Sequence, residues 1–206
     1  LVGGSRTALP RQQTLRALID WSYDLLSDEE KRLLQFASVF VDGWTLDALE
    51  AIAEDRNVIE DLEQLVNKSL VIVHERATEM RYFMLETIRQ YAREKLLESK
   101  QAPVARDRHF VYFDNLSETM WQAFRSPINQ LAWRDKVDDE LENLRAALEW
   151  GLENKFENAI HLVANFCVVS GWISGLTEDL ALVRSAIERI KSLPPVEADA
   201  HIQRQK

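Results

Sequence analysis

The chain contains 206 residues, of which 46% are hydrophobic and 29% are charged, a composition typical of a globular protein with one or two cores of ordinary size. Its formal net charge is −9, so the molecule as a whole repels a phosphate backbone, which disfavours non-specific nucleic-acid binding. Because the sequence has neither the roughly 18 consecutive apolar residues of a membrane span nor the regions of a secretory signal peptide, we expect a cytoplasmic protein without a membrane partner.

An apolar stripe with the 3.6-residue period of a helix predicts the first element, over residues 13–26. Its members are Leu15, Leu18, Ile19, Ser22, Leu25 and Leu26. Ser27 followed by Glu30 has the spacing of a capping box, in which each side chain accepts a hydrogen bond from the other residue's backbone amide. A second helix is therefore predicted over residues 28–39.

The next elements alternate between helices and short strands. Helices are predicted over residues 45–53 and 58–67, with Thr45 and Asn57 as N-caps, and Glu60 stands at the capping-box distance from Asn57. Two runs rich in Val, Ile, Tyr and Phe, at 70–74 and 81–85, predict a hairpin, and a helix follows over 86–98. Helices, a hairpin and a return helix in this order indicate a winged-helix domain.

The polar segment 99–103 ends in a proline and is the predicted hinge between two domains. We expect a winged-helix domain over residues 1–99, with 1–10 as a linker, and a helical domain over 104–206. Four apolar stripes predict the helices of the second domain, with a break at Ser126-Pro127 and a turn containing Gly171 and Gly175. The stripes are His109, Phe113, Leu116 and Met120; Val137, Leu141, Leu144 and Leu148; Phe156, Ile160, Val163 and Cys167; and Leu180, Val183, Ile187 and Ile190. The last two form a hairpin of about 34 residues, the size of a tetratricopeptide-type repeat, without its full signature. The expected fold is thus mainly α, a winged helix with a small hairpin followed by a helical, TPR-like domain.

Motifs for catalysis are missing from the sequence. None of the glycines begins the G-x-x-x-x-G-K-[ST] pattern that cradles phosphates, no His or Cys pair has metal-ligand spacing, and no G-x-S-x-G motif is present. We therefore expect no enzymatic activity, no catalytic or metal-binding residue and no cofactor in this chain.

Several segments resemble the region that follows the nucleotide-binding domain in bacterial STAND proteins, which are signal-transduction NTPases related to the NB-ARC ATPases. The segments are RQQTLRALIDWSYDLLSDEEKRLL (11–34), SVFVDGWTLDALEAI (38–52), LVNKSLVIV (65–73), YFMLETIRQYAREKL (82–96) and DDELENLRAALEWGLEN (138–154). The resemblance implies a fragment of a larger regulator, in which an upstream NTPase domain holds ATP or ADP. It also implies that the winged helix transmits the nucleotide state, that downstream helical repeats sense an effector, and that the parent, a transcription regulator, forms homo-oligomers on activation.

The resemblance also indicates a candidate interface with the upstream NTPase domain, near the end of the hairpin and on the first helix. Its residues are Arg11, Arg16, Arg81, Glu86 and Arg89. NB-ARC relatives end this hairpin with Met-His-Asp, whose histidine reaches the nucleotide. The matching residues here are Met84, Leu85 and Glu86, and a leucine side chain cannot donate a hydrogen bond to phosphate.

Two alternatives come from other functional classes. The first is a DNA-binding winged-helix regulator, in which the helix before the hairpin enters the major groove. Here that helix carries Glu60, Asp61 and Glu63 against Lys68, so we expect no direct nucleic-acid partner. The second is the regulatory region of a signalling enzyme such as a cyclase or kinase, which only flanking sequence distinguishes from a transcription regulator.

Overall fold

A computed structural model describes residues 10–54, 57–76, 79–125, 130–173 and 180–191. The chain divides into two compact units, of which unit 1 comprises Leu1–Val39 and Gly43–Ala102 and unit 2 comprises Phe40–Asp42 and Pro103–Lys206. Across the described ranges, no helix combines the length and the apolar character that membrane spanning requires.

The described part of unit 1 has the predicted winged-helix arrangement. Its elements are α1 Pro10–Asp24, α2 Asp28–Ala37, β1 Trp44–Thr45, α3 Leu46–Ala53, α4 Val58–Asn67, β2 Ile72–Glu75, β3 Met80–Phe83 and α5 Glu86–Glu98. The strands form an antiparallel sheet in the order β1-β3-β2, with Tyr82 opposite both Trp44 and Val73. The winged-helix prediction is therefore confirmed.

The helix caps follow the sequence prediction at two of three positions. The Glu30 amide donates to Ser27 Oγ at 3.1 Å and the Ser27 amide donates to Glu30 Oε2 at 2.8 Å, so the capping box is confirmed. Thr45 Oγ1 accepts from the Ala48 amide at 3.3 Å. The predicted cap at Asn57 is wrong. Asn57 has φ −117° and ψ 29° and its side chain makes no capping hydrogen bond, because a side chain reaches the first-turn amides from the extended backbone region.

The hairpin is confirmed with shifted bounds, and the sheet has one strand more than predicted. Leu70 and Val71 are buried but lie outside β2, because both amides donate to the Leu65 carbonyl in the turn that ends α4. β1 has only two residues, too few for a period-2 pattern to be visible in the sequence.

The core of unit 1 is built from one face of each helix. Side chains exposed by 5% or less cover the inner faces of α2, α3 and α4 and include the indole of β1. They include Leu33, Leu34, Phe36, Trp44, Leu49, Ile52, Leu62 and Leu65. The predicted apolar face of α5 is confirmed, since Ile88, Tyr91, Ala92 and Leu96 are all buried.

The secondary structure in the described residues of unit 2 is entirely α-helical. Its helices are α6 Ala102–Phe124, α7 Gln130–Asn154, α8 Phe156–Ile173 and α9 Leu180–Lys191. The loop segment Phe40–Asp42 also belongs to unit 2. The Phe40 ring contacts the rings of His109 and Phe113, with centroids 5.4 and 6.3 Å apart. The Val41 amide donates to Asn143 Oδ1 at 2.7 Å, so this short loop is fixed by both ring packing and a hydrogen bond.

The predicted faces of unit 2 have different outcomes. The α7 face is confirmed, because its four leucine and valine side chains are buried. On α6 the predicted side chains are buried except that of Leu116, which is half-buried. On α8 the prediction is wrong except at Val163, which is buried. Ala159, Leu162 and Phe166, which the sequence pattern did not select, are also buried, whereas the predicted Cys167 is half-buried. A Cβ at Gly151 would lie 3.0 Å from the Ala159 Cβ, so the close approach of α7 and α8 selects this neighbouring face.

Three other sequence predictions for unit 2 have mixed results. Gly171 lies within α8 rather than in a turn. On α9, Val183 is buried while Ile187 is 42% exposed. Ser126-Pro127 and Gly175 lie outside the described residues.

Candidate functional site

The first and last helices of unit 1 are joined by aromatic and charged contacts. The rings of Tyr23 on α1 and Tyr91 on α5 meet edge to face, with centroids 5.3 Å apart. Arg16 Nη2 lies 2.6 Å from Glu94 Oε2, and the Arg16 guanidinium lies 5.6 Å from the centroid of the Tyr91 ring. These contacts orient α1, and with it the outward-facing side of this helix.

That outward side of α1 is apolar, which divides the stripe predicted from the sequence. Ile19 and Tyr23 are buried, as expected for the inner face of an amphipathic helix, and so is Leu26 in the turn after α1. Four large apolar side chains are exposed by 44 to 65%, three on the outer face of α1 and one in the turn that follows it: Leu15, Leu18, Trp21 and Leu25. We call these four residues the α1 stripe. A contiguous exposed apolar surface of this kind is typical of a protein–protein contact site.

The predicted interface residues occupy different environments. Arg16 contacts Glu94 as described above, whereas Arg89 Nε donates to Glu86 Oε2 at 2.8 Å in the first turn of α5. Hydrogen bonds from Arg89 and then from Gln90 lower the pKa of Glu86 below its usual range. These contacts give Arg16 and Arg89 separate acidic partners. Their role at an interface stays a prediction.

Arg81 and Leu85 differ in exposure. Arg81 is only 1% exposed because it lies in β3, the central strand, opposite Thr45 on one side and His74 on the other. It is therefore buried within the sheet rather than on a free surface. Leu85 is 54% exposed immediately before α5. The side chain of Arg11 lies outside the described residues.

The outer face of α4 is acidic. Glu60 and Glu63 are exposed, and Asp61 is half-buried. Lys68, which follows the last residue of α4, has its Nζ 2.5 and 2.6 Å from the two carboxylate oxygens of Glu30. The lysine charge nearest to this face is therefore engaged with α2.

Glu30 connects α2 to the end of α4. Its side chain is 6% exposed, and burial alone would raise the pKa of this carboxyl. Hydrogen bonds from Lys68 and from the Ser27 amide outweigh burial and lower the pKa. Glu30 thus stays ionised inside unit 1, and sequence reasoning identified its capping role but missed its ion pair.

A polar cluster joins α6 and α8 in unit 2. His161 Nδ1 lies 2.9 Å from Asp114 Oδ1, and His161 Nε2 lies 3.0 Å from Glu118 Oε2. Burial opposes the imidazolium charge, but the two carboxylates outweigh it and raise the pKa of His161. Buried Asn165 continues the cluster by donating to Ser117 Oγ at 3.1 Å. Both histidine nitrogens are occupied by these contacts, which indicates a role in helix packing.

Within the described ranges, no group of three or more His, Cys, Asp or Glu side chains is arranged to hold a metal ion.

Comparison with known proteins identifies the domain in unit 1. Residues 26–97 match the family model of the winged helix-turn-helix domain. Unit 1 carries a winged helix-turn-helix domain. The matched residues run from Leu26, two residues after the end of α1, to Leu97 in α5.

Longer bacterial proteins resemble half or more of the chain. A Mycobacterium tuberculosis protein named "Putative HTH-type transcriptional regulator" is 37% identical over 194 residues, which cover 91% of this chain and 22% of that protein. A Mycobacterium bovis protein of the same description matches equally. An uncharacterised M. tuberculosis protein is 34% identical over 115 residues, covering 53% of this chain and 29% of that protein. The chain spans less than a third of the length of these relatives.

A solved structure is also similar, though weakly. It is the crystal structure of a signal-transduction ATPase with numerous domains (STAND) with a tetratricopeptide repeat sensor, from Pyrococcus horikoshii. The similarity covers 98% of this chain and 35% of that chain at 19% sequence identity, with a TM-score of 0.34. A TM-score this low supports no argument about fold or function.

The expectation of no direct nucleic-acid partner is wrong in view of these comparisons. A winged helix-turn-helix domain, together with relatives named as HTH-type regulators, conflicts with it. The expectation depended on the net charge and on the carboxylates of α4. Net charge sums over both units and governs long-range repulsion, and it does not decide whether one face of one domain contacts DNA.

Proposed function

We propose that this chain is a regulatory, non-catalytic segment of a longer transcription regulator, in which another domain docks on unit 1, the unit that carries the winged helix-turn-helix domain. The observation that supports this function is the α1 stripe. Leu18, Trp21 and Leu25 are each at least 57% exposed, and apolar side chains exposed along a helix and the turn after it gain free energy when a partner surface removes them from water.

The docked domain in this proposal is an upstream NTPase domain that binds ATP or ADP. The resemblance of the segment 11–34 to the corresponding region of STAND proteins supports this assignment. Arg16 lies on the other face of α1, three residues before buried Ile19, and its side chain is 56% exposed even with Glu94 as its partner. A change of nucleotide would then change the contact with α1, and the helical unit would relay an effector signal to the same switch.

A substitution on the α1 stripe tests the docking role. In the longer protein, Leu18→Ser should change the rate of nucleotide exchange several-fold, because it removes one apolar anchor from the interface. The melting temperature of the isolated chain should stay nearly constant, since exposed positions usually change the free energy of unfolding by less than about 0.5 kcal/mol. Exchange is followed with a fluorescent nucleotide, and unfolding by circular dichroism.

Leu97→Ser on α5 is the matched control, because Leu97 and Leu18 have the same exposed fraction, 57%. Equal exchange rates for the two variants would show that the α1 stripe is not the docking surface.

Direct DNA contact by the winged helix-turn-helix domain is the second candidate function, and the family match favours it. If α4 faces the duplex, its exposed carboxylates oppose the phosphates. Replacing Glu60 and Glu63 by Gln should then tighten binding about five- to tenfold at low salt, because a like-charge contact in water costs on the order of 1 kcal/mol. Fluorescence anisotropy with a labelled duplex measures the change.

The control for this experiment is Glu149→Gln on α7, an exposed carboxylate in unit 2. If Glu149→Gln tightens DNA binding as much as the replacements on α4 do, the effect comes from net charge, and α4 is excluded as the DNA-facing helix.

A further inference from the structure

An open groove lies between α4 and the hairpin of unit 1. Its volume is about 260 Å³, and apolar side chains of both elements provide most of its surface. Those residues include Ile59, Leu62, Val66, Val73 and Met80. Leu62 is buried at the base, whereas Ile59 and Met80 are 51% and 44% exposed. Two large apolar side chains thus remain in water at the edges of this groove.

The size of the groove indicates the kind of ligand that fits. Small-molecule and cofactor sites usually have volumes of roughly 300–1,000 Å³ and enclose most of the ligand. This groove is smaller and open to solvent on one side, so it matches a few apolar side chains presented by another element. An amphipathic helix presents such side chains at i, i+3 or i+4, and i+7.

The charge of the groove restricts the ligand further. Among the described lining residues, Glu63 is the charged one, and Asn67 and Tyr82 are the polar ones. Burial and then the negative charge of Glu63 raise the pKa of Tyr82, so the phenol stays neutral. Glu60 lies one turn away on the same helix, and the nearby Lys68 ammonium contacts Glu30. The rim therefore favours a cationic partner.

We propose that the groove between α4 and the hairpin binds a basic amphipathic helix of a protein partner. Apolar side chains of that helix fill the space above Leu62 and cover Ile59 and Met80, while a lysine or arginine pairs with Glu63. A nucleic-acid backbone is the less suitable ligand, because it would place phosphates beside a carboxylate and apolar side chains. This site shares no residue with the α1 stripe and goes beyond the docking role proposed there.

A designed peptide tests the proposal on the whole chain. The probe is a labelled helix of about 16 residues with leucines at i, i+4 and i+7 and lysines beside them, and binding is followed by fluorescence anisotropy. The Glu63→Lys variant should bind it about tenfold more weakly, because the variant replaces an attractive contact by a repulsive one. Met80→Ser should weaken binding several-fold through lost apolar contact.

Glu149→Lys on α7 is the matched control, since it changes the net charge of the chain by the same amount as Glu63→Lys. Its affinity should stay within about twofold of the unmodified chain, as expected for a charge that does not line the groove. Circular dichroism confirms that the variants keep their helical content. Equal weakening by Glu63→Lys and Glu149→Lys, equal binding of a peptide with glutamates in place of the lysines, or displacement of the peptide by duplex DNA would each overturn the proposal.

Discussion

Replacing Gly43 by alanine should destabilise the chain by about 3 kcal/mol, since the new side chain meets both backbone strain and overpacking. Gly43 has φ +95°, a conformation that L side chains rarely adopt. An added Cβ would lie 2.6 Å from Phe83 Cε1 and 2.8 Å from the Tyr82 carbonyl oxygen. Because Gly43 leads directly into β1, relieving these contacts would disturb the pairing of β1 with β3. Urea unfolding followed by circular dichroism measures the loss.

The neighbouring residue provides a control. Asp42 is exposed and has φ 61°, so Asp42→Gly removes left-handed strain while adding freedom to the unfolded chain, and the net change should stay within about 1 kcal/mol. If Gly43→Ala unfolds at the same urea concentration as the unmodified chain, the close approach of Gly43 to β3 is not a constraint on this fold.

Replacing Lys68 by methionine should cost about 2 kcal/mol at neutral pH, because it leaves the Glu30 carboxylate buried without its ammonium partner. The apolar stem of methionine retains much of the lysine packing, so the loss reports mainly on charge. The pKa of Glu30 is lowered in the folded chain from the ordinary 4.5. Its contribution is therefore fully present above pH 4.5 and is lost as the pH falls through the folded pKa.

The pH dependence provides the measurement. The difference in free energy of unfolding between Lys68→Met and the unmodified chain should be constant near neutral pH and should shrink as the pH falls below 4.5. Lys191→Met is the control, since Lys191 and Glu188 are 66% and 65% exposed and such pairs contribute less than about 1 kcal/mol. An equal loss for both variants would contradict the assignment of Glu30 as a buried ion-pair partner.

Features determined by nearby residues were predictable from the sequence. The capping box of Ser27 and Glu30 needs only residues three positions apart, and the buried face of α5 follows from helical periodicity. The order of helices and hairpin, and hence the winged helix, also followed from local patterns. Asn57 had the right residue type for a cap, but its backbone angles are set by the turn between α3 and α4.

Features that depend on distant contacts could not be predicted in this way. Periodicity correctly gave α1 an apolar stripe, but exposure of Leu18 and burial of Ile19 depend on where α5 and α2 pack. The burial of Arg81 depends on β1, a strand that local patterns did not indicate. On α8 the buried face is set by the contact between Gly151 and Ala159, residues on different helices.

The candidate interface illustrates the same limit. Residue type and family resemblance indicated arginines, whereas the structure adds an exposed apolar surface on the outer face of α1, the helix that carries Arg16. The exposed Leu15 and Leu18 are of the same residue type as core leucines, so composition does not distinguish them. An apolar surface that covers more of a helix than a single core can bury is the sequence signal that could have identified the α1 stripe.

The most direct measurement of the regulatory role is the transcript profile of cells in which the longer protein carries either Leu18→Ser or Leu97→Ser. Both variants lose one leucine of equal exposure from unit 1, so protein level and stability should be matched, and immunoblotting verifies this. The proposal predicts that Leu18→Ser changes the set of regulated transcripts, while Leu97→Ser leaves the profile of the unmodified strain intact. Identical profiles for the two variants at equal protein levels would contradict docking on α1 as the basis of regulation.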